Sequence, residues 1–385
     1  MMGFFTNPKI AFGPGAIEQL AALSPRQVTI LVAPAVARLD PVRRLVDWLS
    51  EYSTRPTLVE GSGRPPTVDE VERLAASLAG APDLLIAVGG GSQIDAAKGL
   101  RARLGRPDLP LPSWTPLVEL APERSTRLAA IPTTGGSGSE MSGAAHLLDA
   151  EGHTLELSHR GLAPDWALLD PEFARSLPGA DAIATGMEGV AHALEALASE
   201  WANPFADAMA RDALALGIPA LVRLGRQPKD LDARAAVFYA ASRAGLASAN
   251  SSLGLAHAWA RALMPEVPEA GYGRLLALAL PTVVEYNFPS KRDVYEGVLP
   301  LFAPGPETIG ESFGGRLAGL ARQLALPTDL RAAGADLDSL RAARERVVRR
   351  VLTSTATVAN PRVPSAPEVG RMLDSITNGI GRRTP

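Results

Sequence analysis

Cysteine is absent from all 385 residues. That excludes a disulfide framework, a cysteine zinc site, an iron–sulfur cluster and a thiol nucleophile. Surplus charge is lacking too: 38 Lys and Arg stand against 41 Asp and Glu, evenly scattered, for a formal net charge of −3. Nucleic acid is therefore not an expected partner, because its phosphates call for a basic face. No apolar run reaches the roughly 18 residues a membrane span needs, so no membrane partner is expected either. The opening MMGFFTNPKIAFG has no basic segment leading into a long apolar one, which argues against a signal peptide. A cytoplasmic protein is the resulting expectation. What is present is globular composition, 46% hydrophobic and 21% charged, in a length that suits about two domains.

The first half alternates strand and helix signals. Val28–Ala33 reads as a strand, Pro41–Glu51 as an amphipathic helix opened by proline, and Thr57–Glu60 as a short strand. Thr67–Ala79 reads as a helix, with Thr67 and Glu70 spaced as a capping box. Asp83–Val88 is a continuous apolar run, as a strand buried on both faces requires, and Arg127–Ile131 is another strand. This rhythm predicts a parallel sheet covered by helices. Beyond Pro178 the strand signals fade. Ala180–Glu200, Phe205–Leu224, Asp230–Ala249, Leu253–Leu263, Gly273–Tyr286, Thr308–Leu324 and Leu337–Val351 read as helices, with Gly297–Glu307 a loop among them. The expected division is an α/β domain over 1–179 and an all-helical domain over 180–385.

Between the strand at Asp83–Val88 and the helix from about Gln93 stands Gly89-Gly90-Gly91-Ser92. Glycines allow a pyrophosphate close to the backbone, and the helix start offers free N–H groups and positive partial charge. The same turn also serves as a plain strand-to-helix connection. Asp95 and Lys98 follow on the first turns of the helix, and a second segment, Ile131–Glu140 (IPTTGGSGSE), supplies hydroxyls and backbone N–H groups suited to a dinucleotide. Neither segment is a Walker A loop, and neither matches G-x-G-x-x-G in a first βαβ unit.

With these motifs the sequence resembles the iron-containing (group III) alcohol dehydrogenase family. The likeness runs through Lys9–Gly15 (KIAFGPG), GGGSQIDAAK, IPTTGGSGSE, Pro164–Pro171 (PDWALLDP), His192–Glu195 (HALE), Ala202–Asp207 (ANPFAD), Leu253–Ala258 (LGLAHA) and Asn360-Pro361-Arg362. It implies a dehydroquinate-synthase-like fold, with a dinucleotide-binding α/β domain, an all-α C-terminal domain and the active site in the cleft between them. It implies that Gly89, Gly90, Gly91, Ser92, Asp95, Lys98, Thr133, Thr134 and Ser137 surround NAD or NADP. It also implies a homo-oligomer, a dimer or larger, and a small-molecule substrate.

The family holds one divalent iron or zinc by Asp and three His. The matching positions here read Glu188, His192 and His257; the fourth falls on Gly271 or Tyr272, and a further family His is matched by Arg261. Two readings follow. Glu188, His192 and His257 can form a two-His, one-carboxylate set for Fe(II) or Zn(II). Alternatively the metal is lost, and His257, Arg261 and Tyr272 carry catalysis, the guanidinium clamping an anion or polarising a carbonyl and the phenol giving a proton. Outside the resemblance, Glu188 and His192 read as a structural ion pair, His257 as a core histidine, and Arg261 and Arg274 as solvated or as partners of Glu266 and Glu269. His146, His153 and His159 show no ligand spacing and read as surface or loop residues.

Ala33-Pro34-Ala35 occupies the place after the second strand where NAD-preferring members carry an acid, so NADP is not repelled. The family's lysine after Gly152-His153 is missing from 154–164, where Arg160 is the one cation. The first reading is an NAD(P)H-dependent reductase of a small aldehyde or ketone, anionic ones included. The rivals are a non-redox lyase or synthase on the same scaffold and a non-catalytic binding homologue.

Overall fold

The computed structural model describes residues 4–52, 55–114, 126–302 and 312–379. The chain divides into two compact units, Phe5–Leu177 and a second made of Phe4 with the chain from Pro178 onward.

The first unit is built on β1 (Lys9–Phe12), β2 (Val28–Val32), β3 (Thr57–Glu60), β4 (Leu84–Gly89) and β5 (Arg127–Pro132). A hairpin follows, β6 (Ala144–Leu148) with β7 (Thr154–Ser158), and then β8 (Trp166–Leu169). Six strands form one sheet in the order β1-β8-β5-β4-β2-β3, every pairing parallel. Its crossovers are α1 (Asp40–Tyr52), α2 (Val68–Ser77) and α3 (Gly91–Gly105). Strand side chains alternate between faces. Ile30, Val32, Ile86, Val88 and Ile131 join one core, and Leu31, Leu85, Ala87, Leu128 and Ala130 the other. Covering both faces explains why β4 is buried at all six positions and why its sequence does not alternate.

The motif segments near the start close this sheet. The Gly13 N–H donates to the Leu169 carbonyl and the Gly15 N–H to Asp170 Oδ2 at 2.9 Å, which ties KIAFGPG to PDWALLDP. The expected capping box is half formed. Thr67 caps α2 by accepting from the Glu70 N–H, but the Glu70 carboxylate instead accepts from the Ser62 N–H and hydroxyl.

The second unit is helical: α4 (Gly179–Ala198), α5 (Pro204–Arg226), α6 (Leu231–Ala249), α7 (Leu255–Leu263), α8 (Tyr272–Asn287), α9 (Arg292–Glu296), α10 (Phe313–Gln323), α11 (Leu337–Ala342), α12 (Arg344–Thr353) and α13 (Ala366–Asn378). α4, α5 and α6 pack on one another, and α8 lies against α4, α7 and α10. The single helix expected over Leu337–Val351 is two, broken at Ala343. The start of the helix expected from Thr308, and Ala303–Glu307 of the expected loop, lie outside the described residues. Among the described residues no helix is long and apolar enough to cross a membrane.

One interior charge cluster holds the first unit. Lys98 is fully buried and donates to Ser139 Oγ (2.8 Å), Ser142 Oγ (3.3 Å) and the Ala144 carbonyl (2.6 Å). Asp95 lies 3.7 Å from it and accepts from the Ser139 hydroxyl and the His146 N–H. Burial would raise the Asp95 carboxyl, but His146, Lys98 and Ser139 together hold it below the usual 3.8. A carboxyl depressed in the folded state contributes stability in full above its unfolded value, and that contribution disappears as pH falls through the folded value. Removing the lysine charge leaves a buried anion without its cation, so Lys98→Met is expected to cost roughly 3 kcal/mol in urea unfolding. Asp95→Asn in the same background is expected to recover part of that loss.

Candidate active site

In the first unit the four loops leaving the carboxyl ends of β2, β3, β4 and β5 share one edge of the sheet. From β2 the chain runs outward to β3, then returns to β4 on the other side of β2. This reversal is the topological switch point where open α/β sheets bind ligands. The turn after β4 carries the triple glycine. Gly90 caps α3, and the Thr133 N–H donates back to the Gly89 carbonyl. A Cβ on Gly91 would stand 2.7 Å from Ser137 Cβ and Oγ, and one on Gly90 would stand 3.3 Å from Thr134 Oγ1. The two loops therefore cross at a distance that only glycine allows. Ser92 is exposed on the first turn of α3, where among the described residues the Gly91 and Ser92 N–H groups have no acceptor, while the Gln93 N–H donates to the Gly90 carbonyl. A diphosphate fits here: the backbone is bare, those two N–H groups are open and the hydroxyls of Thr134 and Ser137 adjoin.

Among the residues that the resemblance places around the cofactor, Asp95 and Lys98 also have a structural role, and Ser139 links them to Ser137. Their polar atoms are engaged within the α3–β6 junction described above. His146, expected on a surface or loop, is instead half-buried on β6, with Nδ1 3.5 Å from Asp95. His159 caps a short turn by accepting from the Gly161 N–H, and His153 is exposed.

In the second unit Glu188 and His192 lie one turn apart on α4, and His257 and Arg261 one turn apart on α7. Each pair shares a helix face. Tyr272 opens α8, and Gly273 beside it meets α4 directly: a Cβ there would be 2.3 Å from the Ala184 carbonyl oxygen. That contact sets the phenol beside the α4 and α7 pairs. The His192 and His257 rings lie 4.4 Å apart, and the His257 and Tyr272 rings 6.1 Å apart. His192 Nδ1 donates to the Glu188 carbonyl at 2.8 Å. His257 Nδ1 donates to Glu195 Oε2 at 2.5 Å. With Nδ1 occupied in both rings, the neutral imidazoles keep their lone pairs on Nε2. The His257 Nε2 is buried and has no hydrogen-bond partner among the described residues.

Glu195 was quoted in a motif but not anticipated as a site residue. It is buried, and besides His257 it accepts from the Gly254 N–H (2.8 Å) and the Ala256 N–H (2.5 Å) at the start of α7. Its position three residues after His192 was the available signal. Arg261 is hydrogen-bonded to Tyr272 and acts on it by charge. Burial pushes the phenol up to about 12, Arg261 pulls it down and the Glu188 charge pushes it up. The expected pairing of Arg274 with Glu266 or Glu269 is replaced by Asp181 at 3.0 Å; Glu266 pairs with Arg346 and Arg350.

A divalent ion needs a set of converging donors. The two imidazoles qualify by tautomer. Glu188 and the two imidazoles do not together form a converging set. Among the described residues the one set of three ligand-type atoms lying within 4.8 Å of one another is Asp149, Glu151 and His153, in the β6–β7 turn. There Asp149 already accepts from the Glu151 and His153 N–H groups. Glu188, His192 and His257 form no such set, and a guanidinium is bonded to the phenol that senses Glu188. A permanent cation there opposes a divalent one. These residues do not fit a divalent metal. Anaerobic Fe(II) or added Zn(II) is therefore expected to leave the calorimetric Tm unchanged, with EDTA likewise without effect. A clear rise in Tm with one ion bound per chain would overturn this.

Residues 7–171 match the family model described as iron-containing alcohol dehydrogenase, and residues 182–377 match that of its C-terminal region. The NADPH-dependent butanol dehydrogenase of Clostridium saccharobutylicum is 26% identical over 98% of this chain and 99% of its own length. The 4-hydroxybutyrate dehydrogenase of Cupriavidus necator is 31% identical over 80% of this chain and 82% of its own. In fold, the alcohol dehydrogenase from Oenococcus oeni superposes with a TM-score of 0.88 at 22% identity, covering 98% of this chain and all of that one.

Proposed function

The chain belongs to the iron-containing alcohol dehydrogenase family and is an NAD(P)-dependent oxidoreductase; within that family we propose that it interconverts a small aldehyde or ketone and its alcohol through its own side chains rather than through a metal. The observation that carries this reading is the grouping of Tyr272 with His257, their rings 6.1 Å apart, beside the Arg261 and Glu188 charges that act on the phenol. The family as named holds iron, and the altered donor set is this chain's departure from it.

Bound nicotinamide supplies or accepts the hydride at the carbonyl carbon. The chain's residues then have to manage the oxygen. As the carbonyl electron pair moves onto oxygen, negative charge develops there, and a preorganised donor is worth most at that moment. Tyr272 is protonated at neutral pH, since its phenol titrates at about 12. It gives its proton to the alkoxide as the O–H bond of the alcohol forms. Arg261 stabilises the phenolate left behind, which solvent reprotonates after release. His257, held by Glu195 with its free Nε2 forward, accepts a hydrogen bond from the alcohol and orients it.

The Gly89–Ser92 turn, with Thr133, Thr134 and Ser137, holds the diphosphate, and Asp95 and Lys98 fix the loop behind it. The second unit sets Glu188 and Glu195 against Arg261, so no surplus positive charge is reserved for an anionic substrate. Uncharged aldehydes and ketones are therefore the first choice, of the kind named for the butanol relative. The non-redox lyase reading predicts product formation without net change at 340 nm, and the binding-homologue reading predicts no turnover at all.

Tyr272→Phe is expected to lower kcat for aldehyde reduction by about a hundred-fold or more, as general acids commonly contribute, with nucleotide affinity unchanged. Reduction should stay level through neutral and mildly alkaline pH because the phenol keeps its proton below about 12. Following 340 nm absorbance on a panel of short aldehydes tests both points. Full turnover by the variant would remove Tyr272 from the mechanism.

A further inference from the structure

We propose that Arg64 binds the 2′-phosphate of NADP(H) and gives this chain its preference for the phosphorylated dinucleotide, an inference that rests on the nucleotide role proposed above. The argument begins at the switch point. The strand beside the glycine-turn strand is β2, and its carboxyl end is where an open α/β sheet meets the adenosine ribose. A carboxylate there hydrogen-bonds a free 2′-hydroxyl and repels a phosphate; an arginine nearby does the opposite. Here β2 is followed by Ala33-Pro34-Ala35, so no carboxylate stands at that point.

The loop after β3 closes over this place. The Gly61 N–H donates to the Val32 carbonyl at 3.0 Å. Gly63, at φ +70, takes a left-handed turn against Pro34, where a Cβ would lie 3.3 Å from the proline ring. Arg64 is the next residue. It is exposed, and among the described residues its side chain has no hydrogen-bond or ion-pair partner. The loop that carries it is pinned: Glu70 accepts from the Ser62 N–H and hydroxyl at 2.8 Å each, the Arg64 N–H donates to Ser62 Oγ, and Pro65 and Pro66 follow. The backbone is thus fixed while the guanidinium is left unspent.

A second observation points to the same crevice. Gln93, on the first turn of α3, is 4% exposed, and among the described residues its Nε2 has no hydrogen-bond partner. That amide faces Gly61, whose Cβ, if present, would lie 2.7 Å from it. An unpaired buried donor is costly to keep, and a ligand that accepts from it repays that cost. The carboxylates flanking this loop are Glu60 at the end of β3 and Asp69 and Glu70 on the first turn of α2, Glu70 being occupied by Ser62. None belongs to the stretch that follows β2. A guanidinium meets phosphate through paired, charge-assisted hydrogen bonds, which a ribose hydroxyl cannot match.

The test is calorimetric, on the full chain, with NADP+ and NAD+ and with 2′,5′-ADP and 5′-AMP as fragments. The wild type is expected to bind NADP+ at least about ten-fold more tightly than NAD+. Arg64→Ala should lose about ten-fold for NADP+ and 2′,5′-ADP while NAD+ and 5′-AMP are unchanged, and Arg64→Lys should recover part of the loss. Equal affinity for the two dinucleotides, or unchanged discrimination in Arg64→Ala, overturns the proposal and leaves the oxidoreductase reading standing. Loss of discrimination in Arg38→Ala in place of Arg64→Ala also overturns it, since Arg38 is a second exposed guanidinium in the β2–α1 connection. Failure of both dinucleotides to bind defeats the proposal and the nucleotide role together.

Discussion

The helical unit is organised around one buried anion, the Glu195 carboxylate. Taking a carboxylate out of water costs several kcal/mol even after relaxation, on the order of what a single buried ion pair returns. Glu195 recovers that through three donors: the backbone N–H groups of Gly254 and Ala256 and the imidazole N–H of His257. Two of those donors belong to the start of α7, where the helix dipole also favours negative charge. The same carboxylate therefore fixes where α7 begins and which nitrogen of His257 is protonated. A neighbouring amide pair extends the arrangement. Asn360 accepts from the Leu255 N–H and from Asn287, and donates to Asn287 and to the Arg362 carbonyl. HALE, LGLAHA and Asn-Pro-Arg, far apart in sequence, are thus parts of one hydrogen-bonded junction.

The α/β unit follows the same logic with different residues. Asp95 and Lys98 are the charges a reader of the sequence would give to the ligand, yet both are used internally to fasten α3 to the Ser139 turn and to β6. What is left for a diphosphate is backbone and hydroxyl. For the nucleotide role proposed above, this division suits a ligand that leaves after each turnover, because neutral donors hold a diphosphate without the desolvation that a buried lysine would impose. In the proposed reading, the diphosphate is held by backbone and hydroxyl groups, which is consistent with the missing lysine beyond Gly152.

Much of this was legible in the sequence where local pattern and tertiary role agree. The β4 run, the triple glycine and the long apolar helices α4–α6 lie within a few residues of their expected bounds, because burial on both sides imposes an unbroken apolar signal. The strands β1 and β8 were not read as strands: each has four residues, a length at which the pattern gives only a weak signal, as it does for β3. α13, opened by a capping box at Ser365 and Glu368, was missed although its cap is written in the sequence. The pairings of Arg274 and Glu266 went wrong for another reason. Sequence neighbours were chosen as partners, whereas Asp181 on α4 and Arg346 and Arg350 on α12 reach them across the fold. At the candidate site, one-turn spacing gave the two helix faces correctly, but that the faces meet at Tyr272 depends on the close approach of Gly273 to α4, which no spacing encodes.

That meeting point is where the family's chemistry is open to replacement. Carbonyl reduction needs positive character at one oxygen and then one proton. A divalent ion supplies the first by Lewis acidity and needs several converging donors to remain bound. A guanidinium supplies a weaker but permanent charge and needs only to be held. Arg261 is one turn from His257, on the helix face that Glu195 has already set, and its hydrogen bond to Tyr272 joins charge and proton in one unit. The charge is then not spent on holding the donors together, so Glu188 need not converge with the imidazoles. Its charge raises the phenol, opposing the effect of Arg261, and in the proposed reaction this keeps the proton on Tyr272 until an alkoxide more basic than the phenolate forms. In the proposed reaction, the residues standing where the resemblance places the family's missing histidines hold a charge and a proton instead.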